Sequence, residues 1–209
     1  LTASAPSSLK ARKRPQQARA TATLDAIFEA TIQLLVKDGY PMLTTTRVAE
    51  RAGVSVGTMY QYFPHKQALI YAVNERYLEI LAEKIEHTCR EARGRPAAAM
   101  AEALIDTYWT AKTERPDVTR ALYRSVVEMD NEALIAEFAA RTDAATTAMF
   151  ASASDRSFSD VESVNRALAT VIFGTVRNSF ERSHSQPEVN DLRRQLIAMC
   201  RAYLETCVG

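Results

Sequence analysis

"RVAERAGVSVGTMYQYFPHKQAL", residues 47–69, holds two short apolar-spaced segments separated by Gly53, neither long enough to stand as an isolated helix. The second segment also carries Thr58, Tyr60, Gln61 and Tyr62, four hydrogen-bonding side chains within about a turn and a half. Thr44 or Thr45 can cap a first helix running to about Ala52. Gly53 can take the positive φ of a turn, and Ser55 can cap a second helix over roughly 56–62. Val48, Ala49, Val54, Met59 and Phe63 then face inward, which leaves the polar cluster facing out. Two short helices joined by a glycine turn form a helix-turn-helix, in which the second helix enters the major groove of DNA and the first crosses the backbone.

Side-chain chemistry assigns roles within this unit. Gln61 can pair bidentately with adenine, and Thr58 can reach a base edge or pack its methyl on thymine. Tyr60 and Tyr62 have the reach and terminal hydroxyl that suit phosphate. Gly57 has no side chain and lets the helix approach closely, next to its cap at Ser55. Lys66, at the start of the following helix, adds a charge to free backbone N–H groups, and His65 beside it can cap or donate to phosphate. Thr44, Thr45, Thr46 and Arg47 occupy the corresponding position on the preceding helix.

Working outward, a first helix is expected over about 20–38, stopped by "DGYP". A long helix follows Pro64, from about Lys66 to Arg93. Beyond it the periodicity is helical throughout, over roughly 96–114, 116–129, 131–152, 160–184 and 187–206. Asp130 or Asn131, Ser159 and the Gln186–Pro187 step supply helix-start chemistry. The fold class is therefore all-α. A flexible basic arm is expected over 1–18, a helix-turn-helix reader over 19–66, and an effector-binding and dimerisation domain over 67–209.

Charge supports a polyanion partner at one end. Residues 1–64 hold eight Lys/Arg against four acids, net +4, and the remainder holds 18 against 21, net −3, within totals of 26 and 25. No run of about 18 apolar residues and no secretion-signal pattern occurs, so a cytoplasmic location without membrane attachment is expected. Cys89, Cys200 and Cys207 form no paired motif and read as reduced thiols. Neither a metal nor another cofactor is expected. The three histidines, His65, His87 and His184, join no catalytic or phosphate-loop motif, which sets enzyme function aside. The remaining alternative is a helical dimeric interaction module without specific DNA binding.

The stretch "TTTRVAERAGVSVGTMYQYFPHKQAL" resembles the DNA-binding signature of TetR-family transcriptional regulators over about 25 residues with compatible spacing. Departures are Val56, where a basic or polar residue is frequent, His65, where Ser, Asn or Asp is common, and Leu24 in place of a frequent Arg. The resemblance implies an all-helical homodimer that represses from a palindromic operator on double-stranded DNA and is released by a small-molecule effector. It also implies that the last two helices build the dimer interface. Their stripes are Val164, Leu168, Ile172 and Thr175 on one helix and Leu192, Leu196, Met199 and Tyr203 on the other. An effector cavity is expected among Met100, Leu104, Tyr108, Trp109, Tyr123, Val127, Phe138, Met149, Phe150 and Phe173. Arg177, Asn178 and Glu128 are its polar candidates.

Overall fold

The apolar periodicity and its interruptions translate directly into helices. A computed structural model describes residues 18–126, 131–182 and 185–207. Among them lie α1 (Ala18–Asp38), α2 (Thr45–Ala52), α3 (Val56–Tyr62), α4 (Lys66–Ala92) and α5 (Ala97–Thr113). They are followed by α6 (Pro116–Val126), α7 (Glu132–Phe150), α8 (Val161–Glu181) and α9 (Gln186–Thr206). Nearly all of the basic arm, together with Asp130, Val127 and Glu128, lies outside the described residues.

By packing, the chain divides into two units: residues 1–78 with 117–136, and residues 79–116 with 137–209. The first is larger than the reader drawn at 19–66, because it takes in the first part of α4 and α6. Its core joins Ile27, Leu34 and Leu35 of α1 to Val48 and Ala49 of α2, Met59 of α3, Leu69, Ile70 and Val73 of α4, and Val118 and Leu122 of α6. Burying a large aliphatic side chain contributes about 1.5–3 kcal/mol, so this cluster fixes the short helices that could not form alone. Polar groups inside it are satisfied. Thr31 donates to the Ile27 carbonyl at 2.7 Å, Asn74 Nδ2 donates to the Ile70 carbonyl at 2.9 Å, and Tyr77 and Thr119 share a hydrogen bond of 3.1 Å.

In the second unit α5 packs on both α8 and α9. Leu168, Ile172 and Val176 of α8 and Leu196, Cys200 and Leu204 of α9 are buried with Met100, Ala101, Leu104 and Ile105 of α5. Ion pairs tie the elements at their edges: Arg193 to Asp106 and Arg201 to Glu102 join α9 to α5, and Arg141 grips Glu86 with bonds of 2.9 and 3.0 Å. Pro96 provides no side-chain cap for α5. Asp155 does so from a distance, accepting the Ala97 N–H at 2.8 Å, while Arg156 donates to the Leu204 carbonyl near the end of α9. One helix start needs correction: Asp160, not Ser159, caps α8 by accepting the Ser163 N–H at 2.9 Å. The Gln186–Pro187 step does open α9, with Pro187 in its first turn and the Ser185 N–H donating to Glu188 at 2.8 Å.

Candidate nucleic-acid interface

The turn between α2 and α3 is built as its residues dictate. Thr44 sits in extended backbone and its hydroxyl accepts the Arg47 N–H at 3.2 Å, which starts α2. Gly53 ends that helix with φ of 68°, and the next N–H, from Val54, returns to the Ala49 carbonyl at 3.0 Å. Ser55 then accepts the Thr58 N–H at 3.0 Å, and α3 begins. Met59 and Phe63 are wholly buried, so the opposite side of α3 is the one left to solvent.

That outer side carries Val56, Gly57, Tyr60 and Gln61, all exposed, with Thr44 and Thr46 exposed on the approach to α2. Among the described residues no hydrogen bond holds the Gln61 amide, and its donors and acceptor stay available. Thr58 is half-buried and its hydroxyl lies 2.8 Å from that of the cap, Ser55, so the two hydroxyls are paired with each other. Tyr60 is 44% exposed and its phenol oxygen accepts a 3.4 Å bond from Thr45. A Cβ placed on Gly57 would meet only the Ser55 hydroxyl, at an ordinary 3.7 Å. Among the described residues nothing requires glycine there.

Three residues expected to face outward do something else. Tyr62 is 6% exposed and its ring tilts against Phe63 at 6.3 Å between centroids, so it belongs to the core. Thr45 is likewise buried, with its hydroxyl turned to Tyr60. Arg47 is committed to the protein: it pairs with Asp38 at the end of α1 and donates to the Met42 carbonyl at 2.7 Å, bracing the α1–α2 turn. Lys66 donates to the Tyr40 carbonyl at 3.2 Å with its ammonium 4.2 Å from the centre of the Tyr40 ring. His65 Nδ1 accepts the Ala68 N–H at 3.2 Å, so His65 is the N-cap of α4 and its other ring nitrogen is the one that can reach a phosphate. Sequence reasoning passed over Met42, which is 61% exposed beside this face and could pack on a thymine methyl.

The positions expected for an effector and for a partner chain are partly redistributed. Met100, Leu104, Met149 and Phe150 are fully buried core. Tyr123 lies in the first unit, and Val127 lies outside the described residues. An aromatic group does form in the second unit: Tyr108 and Phe173 approach to 4.6 Å and Phe173 and Phe138 to 6.1 Å between ring centroids, with Trp109 buried on the same helix as Tyr108. Arg177 is exposed one turn beyond Phe173 on α8. One buried charge was missed: Lys112, 1% exposed, at the end of α5. Its position four residues beyond Tyr108 on an apolar face was the available signal.

Of the interface stripes, Val164, Leu168, Ile172 and Leu196 are buried inside the chain and Thr175 and Leu192 are half-buried. The outward apolar residues are Val171 on α8, 38% exposed, and Met199 and Tyr203 on α9, 59% and 36% exposed. Within the protomer Val164, Leu168 and Ile172 thus face inward, and Val171 lies about 100° of helix from Ile172.

Comparison with known proteins agrees with this arrangement. Residues 27–73 match the family model described as "Bacterial regulatory proteins, tetR family", and residues 96–204 match that of a "Tetracyclin repressor-like, C-terminal domain". The HTH-type transcriptional repressor KstR of Rhodococcus jostii is 32% identical over 107 residues, covering 51% of this chain and 49% of that protein. The nucleoid occlusion factor SlmA of Actinobacillus pleuropneumoniae is 32% identical over 114 residues, covering 54% and 55%. The chain thus spans about half the length of these curated relatives. Among solved structures, a TetR transcription regulator from Haloarcula marismortui aligns with a TM-score of 0.69 at 22% identity, over 90% of this chain and all of that one. A TetR-family regulator from Streptomyces coelicolor aligns at 0.63 and 23%, over 89% and 99%. These likenesses show the shared fold.

Proposed function

Because the chain belongs to the TetR family of bacterial regulatory proteins, we propose that it is a transcriptional repressor that reads a palindromic operator as a homodimer and leaves it when a small effector binds. The single observation that carries the DNA reading is the exposed, uncommitted Gln61 amide on a capped and internally anchored α3. It reads adenine, and Val56 and the Thr58 methyl offer apolar contact to neighbouring thymines. Thr44, Thr46, Tyr60 and His65 Nε2 meet phosphates and fix the register. Lys66 adds its charge from the start of α4, held in place by Tyr40.

The reader domain takes residues 19–66 and the effector and dimerisation domain 67–209, with α4, unbroken from Lys66 to Ala92, beginning at that boundary. A ligand releases DNA only through unequal affinity for the binding-competent and incompetent arrangements, and a hundredfold release needs about 2.7 kcal/mol of coupling. The second copy docks through α8 and α9. The exposed Val171, Met199 and Tyr203 support that assignment, as does Gly174, where an added Cβ would meet nothing within 4 Å.

Selection of bound sequences from a random duplex pool near physiological salt tests the reading. A palindrome with half-sites spaced by about one helical turn or more is expected. Absence of any enriched sequence from folded, dimeric protein would overturn it.

A further inference from the structure

The turn that leads from α1 into α2 holds a cation from each of two helices. Gly39 leaves α1 with φ of 76°, its N–H returning to the Leu35 carbonyl at 3.0 Å, and the Tyr40 carbonyl then accepts the Leu43 N–H at 3.2 Å. Leu43 is buried, so both ends of the turn are anchored. Two carbonyls of this turn receive charged side chains. That of Met42 accepts Arg47 of α2 at 2.7 Å, and that of Tyr40 also accepts the Lys66 ammonium of α4 at 3.2 Å. The two charges fare differently. Asp38 pairs with Arg47, whereas among the described residues no carboxylate pairs with Lys66, whose ammonium stands 4.2 Å from the centre of the Tyr40 ring.

We infer that Tyr40 is a positioning residue for DNA binding: its ring and carbonyl hold the Lys66 ammonium, still charged, where a phosphate meets the start of α4, and the contact requires an aromatic side chain at position 40. The inference rests on the phosphate role given to Lys66 above and deepens it. A lysine as the first residue of α4 lies on the unfavourable side of the helix dipole, so its own helix gives no reason for it. A free lysine stem would lose the freedom of four rotatable bonds on meeting a phosphate, and one already seated against a ring loses less. The seat does not consume the charge. The ammonium has three N–H donors, of which the carbonyl takes one, and the ring quadrupole attracts the cation without neutralising it. A carboxylate at position 40 would hold the lysine and cancel the charge that a phosphate needs. A leucine there would leave the carbonyl alone to hold it.

A double-mutant cycle tests this, read by the fluorescence anisotropy of a labelled mixed-sequence duplex of about 30 base pairs titrated with the full chain at about 50–200 mM salt. A mixed sequence serves because a phosphate contact acts on every sequence. Lys66→Ala should weaken binding and reduce the salt slope by about one. Tyr40→Leu should weaken it about threefold, the factor that a cation–π contact at an exposed site corresponds to, and Tyr40→Phe, which keeps the ring, should bind as the parent does. In Lys66→Ala protein, Tyr40→Leu should change nothing. Tyr40→Met carries the comparison should Tyr40→Leu fail to melt cooperatively. An equal loss from Tyr40→Leu with and without Lys66, as a merely structural role of the ring would give, overturns the inference. Tighter binding by Tyr40→Leu overturns it too, since the ring would then withhold the charge from DNA. An unchanged salt slope in Lys66→Ala removes the phosphate role of Lys66, and this inference with it, while DNA binding by the chain stands. Failure of the parent to bind the duplex even at about 50 mM salt removes the DNA reading itself.

Discussion

Among the described residues a methyl group at position 57 would meet only Ser55, in ordinary contact, and a helix favours alanine over glycine by up to roughly 1 kcal/mol. Gly57→Ala should therefore leave the protein as stable or up to about 1 kcal/mol more stable in denaturant melts, while weakening operator binding because the backbone can no longer come as close to DNA. Equal operator affinity would mean that α3 does not approach at that residue. Gln61→Ala separates specificity from approach: it should cost roughly 1–3 kcal/mol on the preferred site and relax one base position in a repeated selection. Lys112 makes a prediction about pH. Its folded value, about 7, lies below the usual 10.5, so above pH 7 the unfolded chain binds the extra proton and stability rises with pH. Cys89 and Cys200, whose burial raises their thiols from 9.0 to about 11, act in the opposite sense only above pH 9. Between pH 7 and 9 the parent protein should gain about 2 kcal/mol relative to Lys112→Met, measured by denaturant unfolding at each pH. Parallel profiles would show that the amine is not held down by burial.

At the scale of elements, helix starts are set by single side chains, and His65 is the unusual one because an imidazole nitrogen performs the capping. His65→Ala should cost about 1 kcal/mol in thermal or denaturant unfolding, and His65→Asn should recover it, since asparagine is a preferred cap. Loss in both variants would place the role of His65 elsewhere. The same local chemistry explains why the helices were readable in advance. Gly53, Ser55, Pro64 and the i, i+4 apolar spacing act within a few residues, so α2, α3 and α4 fall within a residue of their expected bounds. What depends on a partner element was not readable. Tyr62 turns inward because Phe63 and the first-unit core receive its ring, and Arg47 is occupied because Asp38 happens to end α1 beside it. On α8 apolar residues lie on more than one side, so periodicity alone could not tell the buried Leu168 and Ile172 from the exposed Val171. Lys112 was overlooked for the converse reason: a charge at an apolar position reads as surface until the neighbouring helices are in place.

For the whole molecule, the proposed activity depends on a second copy, because a single seven-residue reading helix offers too few contacts to hold an operator by itself. Joining two readers makes the second contact intramolecular, and the operator affinity gained this way is lost when the dimer separates. Gly174 gives access to that link without disturbing the protomer. It lies in the middle of the 21-residue α8, has open space around an added Cβ, and is exposed one turn from Val171. Leucine there should improve helix propensity while placing a bulky side chain where the partner backbone is proposed to approach. Gly174→Leu should therefore melt at or above the parent temperature when both are diluted to monomer. It should sediment as a monomer at concentrations where the parent is dimeric, and lose at least about tenfold in affinity for the full palindrome while keeping the parent's weak affinity for a half-site. A variant that stays dimeric with unchanged operator affinity would move the interface off this face of α8, and Met199→Lys would then ask the same question of α9 alone.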